Sequence, residues 1–438
     1  MLSLTSMTIL ILAGGISKRM WPLTTDKLLI PLLGKPFFYH TLKSLKDAKP
    51  DLKVAIVANP RNRAGLEKIT KELGIDAKFA VQQEAKGMAD AILTAESLLD
   101  ESVLIMNGDD LLDPKIYAQV LSQINSNSGG IQTVGKVVKD YFPGGYLVLK
   151  DGQVTGVIER PGRGSEPSDM VKLVFDYFKD SRTLISTLKE ATSDKDEIYE
   201  VALDNLIKKG LKVSVTRYEG EWGALKYPWH ILHLVSILLG RIEKNISPNA
   251  VVATSAVING PVVIEEGVKI FEGATINGPC YIGKNCVIGN NSLVRESVLE
   301  EGVVAGFGSE IARSYIGEGS WFHTNYVGDS VIEGNFGMGS GAVTANLRLD
   351  GKTIRTFDNT IDTGLEKLGV IAGTGVRVGI NAMIMPGINL GAVSLIGPGV
   401  LISKNVSENK RVLLKQEHTE TENKDVNTFD KFRENLNK

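Results

Sequence analysis

Beyond Pro248 the chain places an aliphatic side chain at every sixth residue: Val252, Ile258, Ile264, Ile270, Ile276, Ile282, Ile288 and Val294 follow without a gap. The step returns at Ile332 and Met338, then at Val378, Ile384, Leu390, Ile396 and Ile402. Neither a helix, with 3.6 residues per turn, nor a strand, with period 2, gives this spacing. A parallel β-helix with three short strands per coil does, each coil burying its aliphatic residues against the coils above and below. Its corners need positive φ, which glycine and asparagine accept at least cost, and the 46 glycines crowd towards this half. The sector Asn346–Gly369 interrupts the repeat with polar and charged residues, and so large a loop in a regular solenoid points to function.

The first half has a different texture. Short apolar runs at Thr8–Leu12, Val54–Val57, Val103–Met106 and Leu211–Val215 alternate with amphipathic stretches such as Phe38–Ala48 and Met88–Leu99. This predicts a largely parallel sheet covered by helices, with ligands at the carboxyl ends of its strands. The expected organisation is an α/β, Rossmann-like domain over 7–228, a connecting helix and linker over 229–248, the β-helix over 249–410 and a charged tail over 411–438. That tail reads as a surface helix or as disordered chain.

Composition narrows the function. With 49 Lys+Arg against 51 Asp+Glu the net charge is -2, which argues against nucleic acid or an anionic membrane as the main partner. The chain has no run of the ~18 apolar residues that a membrane span needs. The start Met1–Met7 lacks the pattern of a secretory signal. Two cysteines, Cys280 and Cys286, suit a reducing cytoplasm.

The first strand runs directly into Leu12-Ala-Gly-Gly-Ile-Ser-Lys-Arg-Met-Trp-Pro-Leu-Thr. Glycines there let backbone N–H groups approach phosphate oxygens, and Arg19 and Lys27 bring two cations to the loop. Together with Pro31-Leu-Leu-Gly-Lys-Pro36, this segment resembles the signature of the sugar-1-phosphate nucleotidylyltransferases. The resemblance continues at Gln82 and Gly87, at Asn107-Gly-Asp109 and at Val157-Ile-Glu159-Arg160-Pro161. It implies that Leu12, Ala13, Gly14, Gly15, Gln82, Gly87 and Asp109 bind UTP or dTTP. Asp109 would hold Mg²⁺, with Asp110 as a neighbouring alternative. Arg19 and Lys27 would stabilise departing pyrophosphate, while Gly145, Glu159 and Arg160 would orient the sugar-1-phosphate. The family's second metal ligand should fall within Trp222–Pro228, where Ala224 stands instead, with Glu221 nearby. Ser17 takes a usual glycine position, and Lys172-Leu-Val174 replaces a sugar-contacting Asn-x-Gly.

The second half carries another resemblance. His323-Thr-Asn-Tyr-Val-Gly-Asp329 and Gly339-Ser-Gly-Ala-Val-Thr-Ala-Asn346 look like the acetyltransferase site of the bifunctional N-acetylglucosamine-1-phosphate uridylyltransferase/glucosamine-1-phosphate acetyltransferases, archaeal members above all. An imidazole can take the proton of an attacking amine, and the resemblance gives that part to His323. It implies that Arg313, Tyr326, Asn346 and Lys352 contact the amino-sugar phosphate, and that acetyl-CoA lies near Gly379 and Gly397. The β-helix is expected to be left-handed and to form a homotrimer. Two alternatives stay open: only one of the two activities persists, or the chain is a non-catalytic nucleotide-sugar sensor or scaffold.

Overall fold

The computed structural model describes residues 7–124, 130–142, 144–151, 153–194, 197–357, 359–422 and 434. The first half builds a nine-stranded sheet. Across it the strands run Ala77–Val81, Lys53–Ala58, Met7–Ala13, Ser102–Asn107, Met170–Phe178, Gly130–Val137, Lys212–Tyr218, Gln153–Glu159 and Gly145–Lys150. The four apolar runs expected as strands lie in it, except that Leu211 precedes the strand Lys212–Tyr218. The prediction of a largely parallel sheet holds only for one side. Met170–Phe178 runs antiparallel to both neighbours, and Gly145–Lys150 pairs antiparallel with Gln153–Glu159. Only residues 151 and 152 separate those last two strands in sequence, far fewer than the dozen or more a parallel crossover needs.

Helices cover both faces. Phe37–Ala48 buries Phe37, Phe38, Thr41, Leu42 and Leu45, the three-and-four spacing of one helical face. The amphipathic stretch from Met88 divides into an α-helix, Met88–Thr94, and a 3₁₀ turn, Glu96–Leu98.

The second half is a stack of parallel coils, a left-handed β-helix of hexapeptide repeats, whose three faces carry eight, nine and eight strands. Ile264, Ile270, Ile276, Ile282, Ile288 and Val294 all point into the stack, at most 2% exposed. The repeat pattern fades after Val294 because four sides are one residue shorter. Val294 is followed by Leu299, Ile311 by Ile316, Phe322 by Val327 and Val327 by Ile332, and every one is fully buried. The sector 345–369 leaves the stack, forms a small antiparallel ribbon of Arg355–Thr356 with Ile361–Asp362, and returns at Ile371. The first coil strand, Asn245–Ile246, directly follows the helix His230–Leu239. Of the expected charged tail, residues 423–433 and 435–438 lie outside the described residues.

The two halves share one core. Tyr281, Val298, Tyr315, Val331 and Ile371 from one face of the stack join the cluster that holds Leu32, Phe37, Leu234 and Leu238. Glu333 clamps the junction: one carboxylate oxygen accepts from the Thr24 and Thr25 N–H groups at 2.8 and 2.7 Å, and the other from the Thr374 N–H at 2.8 Å.

Candidate functional sites

The carboxyl ends of Met7–Ala13 and Ser102–Asn107 lie side by side, Leu12 opposite Asn107 in register. This brings the glycine loop and Asp109 to one cleft of about 400 Å³. Leu12, Ala13, Gly14, Gly15, Arg19, Lys27, Gln82, Gly87 and Asp109 all line it. Gly145, Glu159 and Arg160 do not. Glu159 lies opposite Gly145 on the adjacent strand, where any Cβ would press on its carboxylate, and Arg160 pairs with it at 3.3 Å. Burial, partly offset by Arg160, raises the Glu159 carboxyl above its ordinary value.

The loop is held from behind by residues that sequence reasoning passed over. Asn59 donates to the Gly15 carbonyl and Asn62 to the Ala13 carbonyl, both at 2.9 Å. Ser17 has φ 57° and ψ 27°, the left-handed conformation that makes glycine usual at this position. The Gln82 amide nitrogen donates to the Gly87 carbonyl and the Asp90 carboxylate, while its oxygen lies so close to Gly14 that a Cβ there would collide with it.

Asp109 is tied on both sides. Lys27 forms an ion pair with Oδ2, and Lys226 Nζ lies 3.1 Å from Oδ1 and 2.9 Å from Oδ2. Burial alone would raise the carboxyl, but Lys226 and Lys27 outweigh it and hold Asp109 well below the carboxylate range. Lys226 was not foreseen as a site residue. It is positioned by a ribbon in which Trp222–Ala224 pairs with Asp110–Leu112, and by the Leu225 N–H donating to the Asp109 carbonyl at 2.9 Å.

The residues present do not fit a magnesium ion held by the protein. Both Asp109 oxygens face ammonium groups, Ala224 offers only a methyl, and no cluster of three metal-binding side chains occurs among the described residues. The alternatives do not repair this. Asp110 accepts from Asn107 and from the Trp222 indole, each at 3.2 Å, and burial raises its carboxyl. Glu221 pairs with Arg241 instead. Lys172 is not free for a sugar either, because its ammonium is buried against Asp176, which also accepts from Tyr199.

On the stack, His323 is exposed at a corner, its ring 4.5 Å from that of Trp321. Its coil continues to Tyr326 and Asp329, and Asp329 gathers the neighbours. It takes a two-pronged pair from Arg313, both contacts at 2.7 Å, and a hydrogen bond from Asn346, which also donates to the Tyr326 hydroxyl at 3.1 Å. Arg313, Tyr326 and Asn346 therefore form one network, and Asp329 is the member whose role the sequence left unassigned. Lys352 is exposed on the excursion that starts at Asn346. Phe322 stacks on Met338, Val378 and Ile396, so Gly339, Gly379 and Gly397 follow His323 down one corner. A Cβ on Gly379 would meet the backbone of Gly397 and Pro398, so coil spacing alone demands glycine there.

Comparison with known proteins agrees with both halves. The nucleotidyl transferase family matches residues 8–223, and the bacterial transferase hexapeptide family (six repeats) matches 261–296. A bifunctional sugar-1-phosphate nucleotidylyltransferase/acetyltransferase of Sulfurisphaera tokodaii is 32% identical over 90% of this chain and 97% of its own. A protein of Methanococcus maripaludis named bifunctional protein GlmU is 32% identical over 94% of this chain and 98% of its own. A UTP–glucose-1-phosphate uridylyltransferase of Haloferax volcanii is 28% identical over 51% of this chain and 92% of its own.

Proposed function

Because the chain belongs to the archaeal-type family of bifunctional sugar-1-phosphate nucleotidylyltransferase/acetyltransferases, we propose two reactions for it. In the cleft of the sheet domain it joins a sugar-1-phosphate, N-acetylglucosamine-1-phosphate or a relative, to UTP or dTTP. On the stack it acetylates an amino-sugar-1-phosphate. The membership implies acetyl-CoA as donor. One observation carries the first reaction: the residues expected to bind nucleotide line a single cleft at the strand ends.

A phosphate oxygen of the sugar-1-phosphate attacks the α-phosphorus. The α–β P–O bond breaks, and its electron pair leaves with pyrophosphate. Alignment and charge neutralisation suffice for such a transfer, and Arg19 and Lys27 supply cations beside the glycine loop. The Gln82 carbonyl oxygen, beside Gly14, would accept the N3–H that uracil and thymine both carry. Glu159, Arg160 and Gly145 form the sugar side. A magnesium ion would be held by the nucleotide phosphates and water, ligands that a hard cation keeps readily, rather than by this chain's side chains.

In the second reaction the amine attacks the thioester carbonyl, the C–S bond breaks and CoA leaves as thiol. His323 takes the ammonium proton, which requires the solvent access its ring has. Arg313, Tyr326 and Asn346 hold the sugar phosphate, Lys352 adds a cation from the excursion, and acetyl-CoA follows the corner of Gly379 and Gly397. A homotrimer is supported by the outer row Val343, Met383 and Leu401, exposed large apolar side chains on consecutive coils of one face of the stack. The buried free thiols Cys280 and Cys286 support a cytoplasmic setting. Among the described residues, no helix is long and apolar enough to cross a membrane.

Pyrophosphate release from UTP across a panel of sugar-1-phosphates, and CoA release with glucosamine-1-phosphate, test the two reactions separately. UTP binding without pyrophosphate release would make the sheet domain a sensor instead.

A further inference from the structure

Residues 224–226 are pinned beside Asp109, and their chemistry inverts what a metal site needs. The ribbon sets Ala224 opposite Asp110, the Leu225 N–H holds the Asp109 carbonyl, and the next residue turns its ammonium onto the carboxylate. We propose that the Lys226 ammonium takes the position of a protein-held divalent cation between Asp109 and the nucleotide phosphates, so that the chain grips the triphosphate without a metal site of its own. This rests on the nucleotide reading of the cleft.

Three observations carry the assignment. The first is geometric: Lys226 Nζ lies 3.1 and 2.9 Å from the two Asp109 oxygens, straddling the carboxylate as a bound cation does. Its side chain remains about one third exposed (34%) and lines the cleft. The second is charge. Asp109 is paired with Lys226 and with Lys27, so its single negative charge is already offset without a divalent cation. The third is the surrounding cleft, where Lys18, Arg19 and Lys27 join Lys226 against Asp109, the only lining carboxylate among the described residues. An ammonium is a compact point charge with three donors, suited to phosphate oxygens in varied geometry. During transfer it takes no proton and makes no bond. It shares charge with the α-phosphate while the sugar-phosphate oxygen bonds to phosphorus and pyrophosphate departs with its electron pair.

Calorimetric titration of UTP into the full-length protein, in EDTA and in Mg²⁺, tests this without relying on turnover. Wild type is expected to bind UTP within about threefold in the two buffers, since the protein's contribution needs no metal. A fall of about thirtyfold or more in EDTA overturns the proposal. Lys226→Met is expected to weaken binding in EDTA roughly 10- to 100-fold, the worth of a charge-assisted hydrogen bond; unchanged affinity overturns it. The double variant Ala224→Asp/Lys226→Gly restores an acidic pair, and its UTP binding is expected to strengthen about tenfold or more on adding Mg²⁺. Indifference to the metal counts against the proposal. Thermal melts confirm that each variant folds, with Lys226→Gln replacing Lys226→Met if that one does not. Failure of wild type to bind UTP in either buffer overturns the nucleotide reading itself, and this inference with it.

Discussion

His323 reaches solvent at a corner of the stack while the residues that hold its coil are buried, so its side chain can be removed without disturbing the fold. His323→Ala is expected to lower CoA release with glucosamine-1-phosphate by about 10²–10⁴-fold, the usual worth of a general base. Pyrophosphate release and thermal midpoint should stay at wild-type values. Ser17 offers a complementary test in the other half: its left-handed backbone is strained for any residue with a Cβ. Ser17→Gly is expected to gain about 1 kcal/mol in chemical unfolding, because relief of the left-handed backbone outweighs loss of the long 3.4 Å hydrogen bond from the Lys27 N–H to the Ser17 hydroxyl. At this scale the sequence was informative where chemistry is local. Asn107-Gly-Asp109 ends a strand and the glycine loop follows one, so both could be placed from neighbouring residues. Lys226 could not be, because its meeting with Asp109 depends on a ribbon joining segments more than a hundred residues apart in sequence. Asn59 and Asn62 escaped notice because the carbonyls they hold lie 44 and 49 residues away in sequence.

Among the elements, the coils were legible where the six-residue step is strict and faded where a side drops to five. Nothing in local composition marks those short sides; they show only when Leu299 and Ile316 are seen in one buried column with Ile282, and Val327 in another with Val294. The mixed sheet was hidden differently. Met170–Phe178 pairs antiparallel with Ser102–Asn107 and Gly130–Val137, a direction that hydrophobic pattern does not encode. Glycines in the stack offer a direct test of coil spacing. A Cβ on Gly306 would strike the carbonyl oxygens of Phe322 and His323. Gly306→Ala is therefore expected to cost about 1–3 kcal/mol in urea unfolding. It should also slow acetyl transfer, because the coil that must move carries His323. Loss of stability with acetyl transfer intact would separate the imidazole from its coil's exact height.

In the molecule as a whole, the junction between the halves carries a titratable group. Glu300 lies in the stack face that meets the sheet domain, accepting from the Gly34 N–H at 3.0 Å through one oxygen, while the other has no partner among the described residues. Burial pushes its carboxyl from 4.5 up to about 7, against the lowering effect of the Gly34 and Leu33 N–H groups and with a small addition from Glu318. The folded protein therefore holds a proton there that the unfolded chain releases. The associated stability is complete below pH 4.5 and is lost as pH rises towards 7. Glu300→Gln keeps an acceptor for Gly34 and removes the titration. Its thermal midpoint is expected to exceed that of wild type by roughly 2–6 °C at pH 8, with the advantage shrinking towards pH 5. An advantage independent of pH would place the effect elsewhere.

That same junction bears on how such a protein can be taken apart. Side chains from both halves fill one cluster, and Glu333 accepts N–H groups from the glycine-loop segment and from the stack at once. A protease cut in the short stretch between Leu239 and Asn245 would sever the backbone but not the partnership, leaving two fragments that travel as one particle. Expressed singly, each fragment would instead expose to water the greasy surface its missing companion normally hides.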